Sequence, residues 1–145
     1  MARTHTHGRD RQQGFSFVEL LVAIIILGLL AALAIPALAG QREKAGDAAA
    51  KSLLRNGASA MESASVESGG YSGLDAAAFA ATEATIHWQD GPGAESADDE
   101  VWISGATDGT FTLTTTSTTG RTFVYTKDLS TQPTVTRTCG AGCTW

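Results

Sequence analysis

The chain has 145 residues, 43% of them hydrophobic and 17% charged, with a formal net charge of −5. That length suits one ordinary domain rather than two. Without residues 1–14, 7 Lys and Arg stand against 14 Asp and Glu, a charge of −7; such a surface repels phosphate backbones and argues against direct nucleic-acid binding by its bulk.

The opening stretch, MARTHTHGRDRQQG, sets Arg3, Arg9 and Arg11 against Asp10 and has no apolar run. It reads as the polar region ahead of an insertion signal, so residues 1–14 are expected to be a cytoplasmic leader that is removed, with His5 and His7 in it. Residues 15–39 hold no Lys, Arg or Asp. At about 1.5 Å per residue they span roughly 37 Å, more than a hydrocarbon layer of about 30 Å, and are predicted to form a hydrophobic transmembrane helix. Gly28 weakens that helix and Pro36 bends it, because proline removes a backbone hydrogen bond. The one charged group inside is Glu19, which needs a partner or a purpose.

Beyond Gly40 the helical period continues. Ala50, Leu53, Leu54, Gly57, Met61 and Ala64 share one face, while Lys44, Lys51, Arg55, Ser59 and Glu62 share the other. Residues 40–68 are therefore the amphipathic half of the same helix, with Asp47 and Lys51 as an i,i+4 pair and SGGYSG from Ser68 as the stop. Residues 15–68 would extend about 80 Å if unbroken. A headpiece of some 75 residues cannot bury that length, so one half must belong to membrane or to other subunits.

Residues 69–145 form the headpiece. Residues 76–81 read as a short helix, 84–88 as an extended edge, and QDGPGAESADDE as a loop. The period then changes to two in VWIS, TFTLTTT, RTFVYT and TVTRT, which set Val101 and Ile103, Phe111 and Leu113, Phe123 and Tyr125, and Val135 toward an apolar face. TDG and TTG supply turns, so a meander of antiparallel strands is expected. The helical stripe with Leu53, Leu54 and Met61 is its cover. The fold class is thus α+β: a long N-terminal helix on a small antiparallel sheet.

Cys139 and Cys143 are the only cysteines. Three residues separate them, two being glycine, and an even pair in an exported domain reads as a disulfide that pins the terminus; a redox or metal pair is the alternative, without the expected spacing or further ligands. The pair places the bulk of the chain outside the cytoplasm, since the charges flanking the apolar run do not decide orientation. Glu95, Asp98, Asp99 and Glu100 are read as a solvated acidic loop rather than a calcium site, there being no loop signature. His87 is read as structural, and Trp88, Trp102 and Trp145 mostly as core. No nucleophile with a base and no metal cage appears, so neither an enzyme nor a cofactor is expected.

Gly14-Phe15, Glu19 at the fifth position after Gly14, the apolar run with Gly28, and Pro36 together resemble a type IV pilin precursor or a related pseudopilin. The likeness is close over about 25 residues, and a long helix followed by a small sheet with a C-terminal cysteine pair agrees with it. The resemblance implies a prepilin peptidase that cuts between Gly14 and Phe15 and methylates the new amine of Phe15. It further implies membrane residence before assembly, an inner-membrane assembly platform, and a filament of copies of this chain at the cell surface. Glu19 would then meet the Phe15 amine of its own chain or of a neighbour. An acid satisfied only by a neighbour makes one axial register favourable and others costly.

The expectation is therefore a pilin of a type IV pilus-like surface filament, and a major subunit rather than a minor one. A pseudopilin of a type II secretion or competence system is the first alternative. The second is a soluble secreted binding domain cut after Ala39, since Ala37-Leu38-Ala39 fits a conventional signal peptidase. The mature N-terminal residue separates a processed filament subunit (Phe15) from this soluble domain (Gly40) and from a plain single-pass anchor, which keeps its initiator end.

Overall fold

The computed structural model describes residues 14–80, 83–93, 99–130, 132–140 and 143–145. The leader up to Gln13, with His5 and His7, lies outside these residues, as do Ala81 at the end of the expected short helix and Glu95 and Asp98 of the acidic loop. Helix α1 spans Phe17–Ser68 and α2 Ala76–Ala80; the strands are β1 His87–Asp90, β2 Glu100–Ser104, β3 Thr110–Thr116, β4 Thr122–Asp128 and β5 Thr134–Cys139. The chain divides into two compact units between Ala39 and Gly40.

In the first unit α1 starts two residues after the reading placed it. Ser16 supplies the first acceptor, its carbonyl taking the N–H groups of Glu19 (3.0 Å) and Leu20 (3.1 Å). Helix continues through Gly28 and Pro36 without interruption. Proline in a helix interior still leaves one carbonyl a turn earlier without its usual donor, so the weak point expected at Pro36 is a missing bond inside a continuous helix.

In the second unit the period-3.6 face of α1 covers a five-stranded sheet of order β1-β2-β3-β4-β5. Ala50, Leu54, Ala58 and Met61 are buried against Val101, Ile103, Phe111, Leu113, Phe123 and Tyr125. Leu53 and Ala64 lie at the margin and are only partly buried. Alternation on β3 puts Phe111 and Leu113 beneath the helix, as the pattern predicts. Helix and strands approach closely at Gly57: a Cβ there would sit 3.3 Å from Leu113 Cδ1 and 3.4 Å from Trp88 Cη2. Ring contacts seal the edges, with Tyr71 edge-on to Phe111 at 4.7 Å and Phe79 stacked on Trp88 at 4.5 Å, each worth about 0.5–1.5 kcal/mol beyond the area buried.

The sheet is mixed rather than wholly antiparallel. Strands β2 to β5 form the expected meander, with Leu113 opposite Tyr125 and Phe123 opposite Cys139. Strand β1 pairs parallel to β2, His87 opposite Glu100 and Asp90 opposite Ile103. DGPG marks a reversal but says nothing of how far the next strand runs back before pairing, and here the chain returns to the start of β1 before β2 begins. Val135, expected on the apolar face, is 44% exposed, on a strand that is exposed along most of its length. The three tryptophans also divide: Trp88 is buried, Trp102 is half-buried on the face away from the helix, and Trp145 packs at the core margin.

Candidate assembly segment

Gly14, Phe15 and Ser16 precede the helix and are exposed. Among the described residues, chain neighbours aside, nothing lies within 4 Å of where a Gly14 Cβ would be, so the described fold makes no demand for glycine there. Any demand must come from a molecule that approaches the backbone closely. Ser16 stands at the helix N-cap and Glu19 three residues on, the spacing of a capping box, and an acid in the first turn meets the positive end of the helix dipole. The S-x-x-E spacing was visible in the sequence and went unused in the reading above.

From Phe15 to Leu38 the large apolar side chains are exposed on every side of α1: Phe17 is 80% accessible, Leu29 66% and Leu33 77%. A helix apolar all round has no aqueous face, and α1 holds the one stretch among the described residues long and apolar enough to cross a membrane. Gly28 lies within it, and beyond its own turn of helix none of the described residues comes within 4 Å of where its Cβ would be, which leaves a notch for another backbone.

The headpiece is anchored by a residue whose role the sequence reading misassigned. Asp47 does not pair with Lys51. Its carboxylate is 8% exposed and accepts from Ser117 Oγ and Thr119 Oγ1, both at 2.8 Å, and from Arg121 Nη1. Burial alone raises the Asp47 pKa, but the hydrogen bonds from Thr119, Arg121 and Ser117 and the Arg121 charge outweigh it and hold the carboxyl below its ordinary value. Lys51 instead donates to the Thr144 carbonyl at 2.6 Å and lies 5.4 Å from the Phe123 ring centroid. Lys127 bonds Glu62; burial lowers its pKa, while Glu62 and the Tyr71 hydroxyl more than restore it, leaving it raised. His87, read as structural, bonds Asp99 at 2.8 Å.

Cys139 and Cys143 are joined in a disulfide. Among the described residues no group of three or more His, Cys, Asp or Glu side chains is placed to hold a metal ion.

The Prokaryotic N-terminal methylation motif matches residues 9–35. Over 36 residues the chain is 50% identical to type II secretion system core protein G of Escherichia coli K12 and 53% identical to that of Klebsiella pneumoniae; over 35 residues it is 54% identical to that of Dickeya chrysanthemi. These matches cover about a quarter of this chain and about a quarter of each relative. No solved structure matches. The motif falls on the apolar segment and the junction before it, and together with the identities in the N-terminal region it supports likeness to type IV pilin-like precursors over that part of the chain.

Proposed function

We propose that the chain is a structural subunit, not an enzyme, that is cut between Gly14 and Phe15 by a prepilin peptidase, methylated at Phe15, and drawn from the membrane into a filament. The observation that carries this is the all-round exposure of the apolar part of α1 beside a single acid in its first turn. Such a surface is stable in lipid or against other copies of itself; after cleavage Glu19 has its own chain's Phe15 amine within reach in either setting, and a neighbour's Phe15 amine in the second alone. An unpaired acid at mid-membrane costs about 2.5–3.5 kcal/mol, and less near the interface, so pairing selects one axial register. Residues 15–39 are the filament core, 40–68 the half of α1 that carries the headpiece, and 69–145 the outer surface. Gly28 and Pro36 give the core helix room to bend.

Two filament readings share this chemistry. A surface pilus-like fibre follows from the pilin resemblance. A secretion-type pseudofilament is favoured by the relatives' identity as type II secretion core proteins, and the sequence matches support it at least as well. A soluble domain cut after Ala39 would discard the residues that match.

The test is Glu19→Ala in the full chain. Processing is expected to continue, with Phe15 as the first residue by mass analysis, while polymer recovered by sedimentation and seen by electron microscopy is lost. Normal polymer from this variant would overturn the register argument. A mature chain starting at Gly40 would overturn the whole reading.

A further inference from the structure

The charges of the headpiece are sorted between the two edges of its sheet. Along the β1 edge, no Lys or Arg occurs from Tyr71 to Glu100, while acids recur. Asp90 and Asp99 are exposed there. Asp90 takes the Ala76 N–H on Oδ1 and Asp99 takes His87 Nδ1 on Oδ2, so among the described residues each keeps a second carboxylate oxygen free of a partner.

The β5 edge is the opposite. Arg55 of α1 and Arg137 of β5 are exposed, and neither has an ion pair among the described residues. Their guanidinium carbons lie 6.0 and 5.9 Å from the same Trp145 ring, and Arg137 also covers Tyr125 at 5.4 Å. Between α1 and β5 they flank a cleft of about 340 Å³ floored by Tyr125. Its one acid, Glu62, is already held by Lys127. Two arginines beside one indole, neither with an ion pair among the described residues, form a site that fits a carboxylate.

The geometry points to a second copy of this chain as the occupant, its Asp90–Asp99 edge set against the Arg55–Arg137 cleft; this rests on the filament reading above. A contact of like edges would put arginine against arginine. Unlike edges lie on opposite sides of the sheet, so joining them is a head-to-tail contact, and repeated head-to-tail contacts that do not close build an open helical assembly. Charge complementarity of this kind steers encounter and fixes register. The contact is made by side chains and not by strand addition, since charges along an edge strand discourage further pairing.

The test uses the full chain in cells. Arg55→Glu with Arg137→Glu leaves both edges acidic, and Asp90→Lys with Asp99→Lys leaves both basic. Each chain alone is expected to yield polymer reduced about tenfold or more, and coexpression of the two is expected to restore polymer containing both. Parent-like polymer from either chain alone, or failure of coexpression to restore it when both chains are cut at Gly14, overturns the contact. Should a reversal unfold the headpiece, Arg137→Lys keeps the charge and supplies an amine. A carbodiimide is then expected to join position 137 to the Asp90 or Asp99 peptide of another copy, and polymer lacking that joint overturns the contact too. A parent chain that forms no polymer sinks the filament reading itself, whereas a contact that fails in good polymer sinks only this inference.

Discussion

At the scale of single residues, Asp47 carries the clearest consequence. Its carboxylate collects three side-chain donors from the β3–β4 turn, and removing it leaves Arg121, Ser117 and Thr119 without their shared acceptor. Asp47→Ala is expected to destabilise the headpiece by about 2–3 kcal/mol, below the range for fully buried pairs because Arg121 is partly solvated; chemical denaturation of the full chain in detergent checks it. Because the folded-state pKa lies below the unfolded one, the contribution is complete above about pH 4 and fades as the pH falls through the folded value. The parent should therefore lose stability on acidification more steeply than Asp47→Ala. Lys127 has the opposite sense: its raised pKa keeps its contribution complete below about pH 10.4 and loses it as the pH rises through the folded value.

At the scale of elements, α1 and the sheet meet where a side chain is missing. Gly57→Leu must drive several carbons into Leu113 and Trp88, which are buried and cannot swing aside. Even after the gain in helix propensity over glycine, a net loss of about 1–3 kcal/mol is expected, read as a lower melting temperature. Much of this level was legible in the residues. The change from a period of 3.6 to a period of two separated helix from strands, and Phe111, Leu113, Phe123 and Tyr125 fell on the face the alternation assigns. Direction of pairing was not legible for β1, because four residues with one buried side chain carry no sign of parallel or antiparallel partnership. Asp47 escaped for a related reason: an i,i+4 lysine is visible in one dimension, whereas a turn some 70 residues on is not. Val135 alternates correctly, but alternation cannot tell whether the fifth strand is covered. The resemblance over the N-terminal segment was legible because its motif, matched over residues 9–35, lies within a single short stretch.

At the scale of the whole molecule, two surfaces call for different surroundings. The apolar part of α1 exposes its side chains on all sides, whereas the headpiece closes its core around Leu54, Met61, Phe111 and Phe123 and presents polar groups to water. Before assembly the chain should therefore stay with membranes through an alkaline carbonate wash and be released by detergent. Release by carbonate alone would indicate that no spanning segment had been retained. Once polymerised, the same apolar side chains are expected to be covered by neighbouring copies.

The way the second half of α1 lies on the sheet also bears on tension. Leu54, Ala58 and Met61 grip it from one side along more than a turn, Gly57 is wedged over Leu113, and Asp47 is tied to the β3–β4 turn. A pull along the helix axis therefore loads these attachments in shear, all at once, rather than peeling them open one by one. Under the proposed filament role, hauling the chain by its helix is expected to leave its folded head intact.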